Sequence, residues 1–223
     1  MRLAVFAGVL AIGLSMAVSA AEVPVPQNYG QAMSWYERAA RAGNAEAQFY
    51  LGVMYETGVR NGNLVEAAKW YRQAAEQGHV QAQTRLGTLY YQGHGVKKDL
   101  AEAARWYAKA ADGGSGRAQY NLALMYERGR GVPANAAMAA ALYAKASDNG
   151  VAAARLNLGT LYARGEGVAR DPETALMWLD MAKASGLAVG DTVIQGLVAE
   201  LAPEQAAEAR KKAAERLAKS ADQ

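Results

Sequence analysis

Few residues of this chain could carry out catalytic or metal chemistry. Its 223 residues include no cysteine and two histidines, His79 and His94. The lack of cysteine excludes a disulfide framework, a thiolate zinc site and a lipid-modified cysteine, and two histidines are too few for a multi-histidine metal site. A general base also needs a positioned partner, and no serine or cysteine nucleophile recurs near either histidine. We therefore expect no catalytic residue, no metal site and no cofactor, with both histidines solvated in turns.

Three glycine-rich motifs could suggest a phosphate-binding loop. They have the form Gly-x-Gly-Val and begin at Gly93, Gly129 and Gly165. A phosphate loop requires a strand before it and a helix whose N-terminus meets the phosphate, whereas the pattern here predicts a helix before each motif. Glycine at such positions is typical of turns that need a positive φ. The motifs therefore predict a repeated turn and no nucleotide site.

The elements that carry these turns recur at a fixed interval. Three columns of residues show it, and their members are 36 residues apart, with 35 between the first two of each column. The tryptophan, tyrosine and glycine columns are, respectively, Trp35, Trp70, Trp106, Leu142 and Trp178; Tyr55, Tyr90, Tyr126 and Tyr162; Gly43, Gly78, Gly114, Gly150 and Gly186. A period in this range is typical of a solenoid of paired helices.

Local signals place the two helices of each repeat. An Asn or Asp lies seven residues before each member of the tryptophan column and predicts the N-cap of a first helix, since its side-chain oxygen can accept from an orphan backbone N–H. These residues are Asn28, Asn63, Asp99, Asn135 and Asp171. Small residues recur inside the second helices, where a glycine costs roughly 1 kcal/mol relative to alanine. Their recurrence at Gly52, Gly87, Ala123 and Gly159 predicts close approach of a neighbouring helix.

The columns also define the predicted domains. We assign residues 28–186 to the repeat array, as repeats 28–62, 63–98, 99–134 and 135–170 and a partial repeat 171–186. Residues 21–27, with two prolines, are expected to form a linker, and residues 187–223 to form C-terminal helices that cap the array.

The first twenty residues have the pattern of a signal peptide. Arg2 provides a positive start, an apolar run follows from Leu3 to Met16, and small residues precede the expected cleavage after Ala20. An uncleaved membrane anchor is the alternative, but the apolar run is short for a span of about 20 residues. We expect a periplasmic or secreted protein with no stable membrane insertion after cleavage.

The columns resemble the Sel-1-like repeat, a relative of the tetratricopeptide repeat. The family pattern of Trp-Tyr, Ala-Ala, Gly, Ala-Gln, Tyr and Gly-x-Gly-Val is most complete in the second and third repeats. The second repeat carries it as Trp70-Tyr71, Ala74-Ala75, Gly78, Ala82-Gln83, Tyr90 and Gly93 to Val96, and the third as Trp106-Tyr107, Ala110-Ala111, Gly114, Ala118-Gln119, Tyr126 and Gly129 to Val132. Departures are Leu142, Arg155 and Leu179.

The resemblance implies an all-α fold, a right-handed α/α superhelical solenoid of antiparallel helix pairs with a concave groove for a protein partner. Members act as adaptors, scaffolds and regulators of envelope signalling. Some secreted members carry a disulfide in each repeat and were linked to penicillin or cell-wall binding, but this chain has none of those cysteines.

Aromatic residues at the repeat spacing could be stacking platforms for a ligand, but the apolar stripe on which they lie favours a structural role. We assign to the repeat core Trp35, Trp70, Trp106, Trp178, Tyr55, Tyr90, Tyr126 and Tyr162. Basic residues near the tryptophan column could instead line the groove as a partner-binding strip: Arg38, Lys69, Arg72, Arg105, Lys109 and Lys145. The alternative is that these are ordinary solvated side chains, interspersed with Glu37, Glu76 and Asp112.

The leading functional hypothesis is a non-catalytic, monomeric interaction module that binds envelope proteins, with an acidic surface suited to the basic strip. The net charge of +3 is too balanced to indicate nucleic-acid binding, which calls for a clustered basic patch. Two alternatives stay open: an enzyme or binding protein directed at the cell wall or a β-lactam, and a secreted factor that engages a host protein.

Overall fold

The structure, a computed structural model, describes residues 29–58 and 62–221. The predicted signal peptide, the linker and the predicted N-cap Asn28 lie outside the described residues. The chain divides into two units, residues 1–35 and 36–223. The described part of the first unit is the start of one helix, and the account below concerns the second unit.

The described residues form helices and turns, without strands. The helices are α1 (Tyr29–Arg41), α2 (Ala45–Glu56), α3 (Leu64–Glu76), α4 (Val80–Gln92), α5 (Leu100–Asp112), α6 (Gly116–Arg128), α7 (Ala136–Asp148), α8 (Ala152–Arg164), α9 (Pro172–Ala184), α10 (Asp191–Glu200) and α11 (Pro203–Ala221). Odd-numbered helices up to α9 are the first helices of the repeats, and α2, α4, α6 and α8 are the second helices. Each second helix packs against the first helix of the next repeat, which confirms the expected all-α solenoid of helix pairs.

Polar side chains begin the helices as the sequence predicts. Asn63 Oδ1 accepts from the backbone N–H of Val65 and Glu66, both at 3.1 Å, and Asp99, Asn135 and Asp171 cap α5, α7 and α9 in the same manner. A second set of caps, which the sequence reading missed, begins α2, α4 and α6: Asn44, His79 and Ser115.

His79 corrects one expectation. Its Nδ1 accepts from Ala82 N–H at 3.2 Å, its Nε2 lies 2.9 Å from the Glu46 carboxylate, and its ring stacks on Phe49 with centroids 4.6 Å apart. The side chain is 14% exposed, so the prediction of a solvated turn histidine is wrong for His79. It is correct for His94, which is exposed in its turn.

The glycine motifs form turns, as predicted. Gly93 ends α4 at φ 78°, and the same left-handed conformation ends α6 and α8. Gly95 has φ 69°, and a Cβ there would lie 2.1 Å from the Leu64 carbonyl oxygen. The turn therefore packs directly on the start of its own repeat's first helix, which leaves no room for a phosphate group in that contact.

Close helix approach is confirmed at the small residues of the second helices. A Cβ on Gly87 would lie 2.8 Å from the Tyr107 ring, and one on Gly52 would lie 2.6 Å from the Tyr71 ring. In the fourth repeat, a Cβ on Gly159 would likewise lie 2.8 Å from the Leu179 side chain. Each aromatic or leucine side chain thus lies flat against the backbone of the preceding second helix.

A buried glutamine column links the two helices of a repeat. Gln48, Gln83 and Gln119 donate from Nε2 to carbonyls in the last turn of the preceding first helix, at 3.0, 3.1 and 3.1 Å. Two of the three also accept from the next repeat, since Gln77 donates to Gln48 at 2.7 Å and Asn149 donates to Gln119 at 2.9 Å. Such hydrogen bonds satisfy backbone carbonyl groups that lack a partner within the helix at its C-terminal end.

Arg155 occupies this column in the fourth repeat. It is 6% exposed and donates to the hydroxyls of Ser147 at 3.4 Å and Ser185 at 2.6 Å. Burial lowers the pKa of Arg155, and the nearby Arg216 guanidinium acts in the same direction. Arg155 thus still links the first helices of the fourth and fifth repeats, as the glutamines link the first helices of earlier repeats. It does so with a buried charge, where a neutral amide would suffice.

We predict that Gly87→Ala lowers the urea midpoint of unfolding. Overpacking against the Tyr107 ring costs about 1–3 kcal/mol, which outweighs the gain of about 1 kcal/mol in helix propensity. Gly196→Ala on α10 is the matched control, because no atom lies within 4 Å of its added Cβ, and it should raise the midpoint. The midpoints are measured by circular dichroism. If both variants raised the urea midpoint equally, the close approach at Gly87 would not be a packing constraint.

The glutamine column gives a second matched pair. Gln119→Ala should lower the free energy of unfolding by about 1–3 kcal/mol, since it removes one buried and one partly buried hydrogen bond. Arg155→Gln restores the column and removes a buried charge, so its urea midpoint should equal or exceed that of the parent. If Arg155→Gln lowered the urea midpoint as much as Gln119→Ala does, the two positions would not be equivalent.

Candidate functional site

The aromatic residues of the first helices differ in burial. Trp106 and Trp178 are 6% and 4% exposed, whereas Trp70 is half-buried; Trp35 lies in the first unit. The tyrosine that follows the tryptophan column is buried more completely: Tyr71, Tyr107 and Tyr143 are 0–2% exposed. Tyr55, Tyr90, Tyr126 and Tyr162 are half-buried and pack at the edge of the core.

The buried tyrosines also carry the hydrogen bonds that sequence reasoning missed. Tyr71 donates to the Glu56 carboxylate and Tyr143 to that of Glu127, while Tyr107 donates to Thr88 Oγ1 at 3.0 Å. Burial raises the pKa of all three phenols above the ordinary value, and the carboxylates add to this for Tyr71 and Tyr143. These hydroxyls therefore remain protonated donors, and their role is structural.

The six basic residues of the predicted strip have different surroundings. Lys69 lies 2.5 Å from Glu66 and Arg105 lies 3.3 Å from Glu102, each in an i,i+3 ion pair on the surface. Surface pairs of this kind contribute little, so both cations can exchange their partner for an external carboxylate. Arg38 and Lys145 are exposed.

Arg72 is held more firmly than the rest of the strip. It is half-buried, donates to the Tyr90 hydroxyl at 2.6 Å, and its guanidinium lies 5.9 Å from the centre of the Tyr90 ring. The structure thus brings together Arg72 from the predicted strip and Tyr90 from the predicted core. Arg72 is accordingly less available to a partner than Lys69 or Lys109.

Lys109 and Trp106 form a pair at the centre of the array. The Lys109 ammonium lies 4.2 Å from the centre of the indole ring, a cation–π contact. The Trp106 Nε1 is buried and has no hydrogen-bond partner among the described residues. Lys109 is exposed, whereas the indole on which it lies is buried.

The exposed side of the first helices carries basic residues in each of the repeats two to four. We call it the first-helix face and define it by the residues one before and three after the tryptophan column: Lys69, Gln73, Arg105, Lys109, Ala141 and Lys145. All six are exposed, and four of them are basic. Each of the repeats two to four thus contributes at least one exposed cation to this face.

Two searches of the described residues concern metal sites and membrane spans. Among them, no group of three or more His, Asp or Glu side chains is arranged to hold a metal ion. Within the same part of the chain, every helix is too short or too polar to cross a bilayer.

Comparisons with known proteins agree with the repeat pattern. The family profile of the Sel1 repeat matches residues 21–44, 45–79, 80–115, 116–151 and 152–187. From the second onward, each matched segment begins at the start of a second helix. A search of curated proteins gave no match.

Two solved structures are similar over most of the chain. A Sel1 repeat protein from Oxalobacter formigenes is 36% identical with a TM-score of 0.70, and the match covers 85% of this chain and 80% of that one. A protective antigen of uropathogenic Escherichia coli, c5321, which displays an SLR fold, is 32% identical with a TM-score of 0.68 over 80% of this chain. The match covers 41% of the antigen, so this chain spans about two fifths of its length. With five matched repeats and these similarities, the chain belongs to the Sel1 repeat family.

Proposed function

We propose that this protein is a non-catalytic scaffold that binds an acidic surface of an envelope protein along its first-helix face. Sel1 repeat proteins are generally protein-interaction scaffolds. The observation that carries the proposal is the row of exposed cations on consecutive first helices. In the superhelix expected for such repeats, this face is the concave groove.

The charges of the face favour recognition by electrostatic complementarity. Lys69 and Arg105 are held only by surface ion pairs, which exchange readily. Complementary charge accelerates encounter and rejects partners of the same sign. A monomer suffices for this role, since consecutive repeats of one chain supply the whole face.

We further propose that the mature protein is periplasmic, on the strength of the signal-peptide pattern of residues 1–20. Export beyond the cell is the second candidate, favoured by the similarity to an Escherichia coli protein that is described as a protective antigen. The two destinations imply different partners, an envelope protein in one case and a host protein in the other.

The localisation is tested by fractionation and intact mass. We expect the protein in the periplasmic fraction, with a mass that begins at Ala21, because the small residues before that position suit signal peptidase. A cytoplasmic full-length protein would refute the proposal, and accumulation in the culture medium would favour the extracellular alternative.

Binding is tested by affinity capture from an envelope extract with the mature protein and with a charge-reversed variant, K69E/R105E/K109E/K145E. The parent should retain a specific protein that the variant loses, because the reversed charges repel an acidic surface. A control, K97E/K98E/R117E/R128E, reverses four exposed positive charges that lie outside the first helices and should capture as the parent does. Equal capture by parent and charge-reversed variant would assign the partner to another surface.

A further inference from the structure

Repeat five carries an apolar surface that repeats two to four lack. At the positions one before and three after the tryptophan column, repeats two to four expose their side chains. In repeat five these positions hold Met177 and Met181, which are 8% and 3% exposed, and Trp178 beside them is 4% exposed. The first helix of this repeat, α9, therefore has large apolar side chains at positions that are exposed to solvent in the earlier repeats.

Acidic side chains border this apolar surface. Glu173 and Asp180 lie about one helical turn before and after Met177 on α9, and Asp148 ends the first helix of repeat four. The equivalents of the two α9 acids in repeats two to four are, respectively, Val65, Ala101 and Ala137, and Arg72, Ala108 and Ala144. An apolar centre with this acidic border is therefore a feature of repeat five and not of the repeats two to four.

The C-terminal helix α11 occupies this surface. It packs mainly on α9 and not on the neighbouring α10. Its residues Ala206, Ala209 and Ala213 are 4%, 0% and 3% exposed and belong to the same apolar cluster as Met177 and Met181. Their i, i+3, i+7 spacing places them on one side of the helix, so α11 contacts the surface through a narrow stripe of small side chains.

The basic residues of α11 match the acidic border. Three ion pairs join the two: Lys212 to Glu173 at 2.8 Å, Arg210 to Asp180 at 3.6 Å, and Arg216 to Asp148 at 3.1 Å. The Arg216 guanidinium also lies 4.6 Å from the centre of the Trp178 ring, a cation–π contact. The surface thus accepts a basic helix that carries a stripe of small apolar residues.

The contacts that hold α11 are of kinds that exchange readily. Besides the three alanines and the half-buried Leu217, the described side chains of α11 are exposed. The side chains that form the three ion pairs are 22% to 64% exposed, and surface pairs contribute little. Met177 and Met181 are flexible side chains of a type that adapts to different partners. A similar helix can therefore replace α11 without rearrangement of the repeats beneath it.

We propose that this surface, which we call the α9 site and define by Met177, Trp178 and Met181 with their acidic border, is a docking site for a basic amphipathic helix of a partner protein. The helix α11 occupies the site in cis and regulates access to it. Binding of the partner displaces α11 and places an amphipathic helix on an apolar surface. The α9 site is separate from the first-helix face, because its charge is opposite and its apolar residues belong to repeat five.

The test compares three forms of the full mature chain. The first is the parent. The second, the released variant, is R210E/K212E/R216E, in which each reversed charge of α11 meets an acid of the border. The third, K211E/K219E, is the matched control, because it reverses two exposed charges of the same helix and keeps the three ion pairs.

The probe is a fluorescein-labelled peptide with the native sequence of residues 203–220. By fluorescence anisotropy, it should bind the released variant saturably and more weakly as salt screens the charges. The parent and the control should bind it about tenfold or more weakly, because a site that α11 occupies nine-tenths of the time leaves about one tenth available. A peptide with the three reversals of the released variant should also bind that variant about tenfold or more weakly.

A spectrum of the released variant locates the peptide and checks the fold. In a ¹H–¹³C spectrum, dispersed methyl resonances show that the repeats remain packed. The methyl resonance of Met177, assigned with Met177→Leu, should shift when the native peptide binds.

Contrary results identify which part of the inference is wrong. If the native peptide does not bind the released variant while its spectrum shows packed repeats, the α9 site is not a docking site. If the peptide binds the parent and the released variant equally, α11 does not regulate access. If the parent forms a dimer in sedimentation equilibrium that the released variant loses and the control keeps, the occupant is α11 of a second copy and the assignment of a partner helix is wrong.

Discussion

The close contact between a second helix and the first helix of the next repeat is the constraint on which the rest of the structure depends. At Gly52 and Gly87 the backbone lies so near a tyrosine ring that a single added methyl group would overlap it. A flat ring against a bare backbone buries a large apolar area in a short distance. Because the tyrosine hydroxyl then reaches a carboxylate or a hydroxyl, the same residue satisfies its polar end.

This contact determines which side of each first helix is left for function. Tyr71 and Tyr107 face the preceding second helix, and the glutamine column ties the ends of the two helices of one repeat together. With both of these sides occupied, the residues one before and three after the tryptophan column are left exposed. The face that can bind a partner is therefore a consequence of the packing, repeated once in each of the repeats two to four.

Local features of the fold could be predicted from the sequence, since they depend on one residue and its neighbours. Asp99 caps a helix by its own backbone geometry, and Gly93 ends one because it tolerates a positive φ. Gly87 indicates close packing because a glycine inside a helix is destabilising relative to alanine unless a larger side chain would clash. The relative burial of Trp70 and Tyr71 was not predictable in this way, since adjacent aromatics lie on the same apolar stripe and only the partner helix distinguishes them.

The candidate site was less accessible to sequence reasoning, because exposure and charge do not show which cations are engaged. Arg72 and Lys69 are both basic residues beside Trp70 in the sequence. In the structure, however, Tyr90 holds Arg72, whereas Lys69 is held only by a surface ion pair. His79 looked like a turn residue because its two partners, Glu46 and Phe49, lie in the preceding second helix. Such contacts between repeats need the stacking of the helices and cannot be read from spacing alone.

The C-terminal helix shows how one surface can serve both the end of the array and its function. A stack of repeats leaves its last helix with an uncovered face, which must be made polar or be covered. Here Met177 and Met181 make that face apolar and α11 covers it, with basic residues matched to Glu173 and Asp180. Repeats two to four instead keep the equivalent positions exposed, four of the six of them basic, so the apolar side chains occur only where a helix covers them.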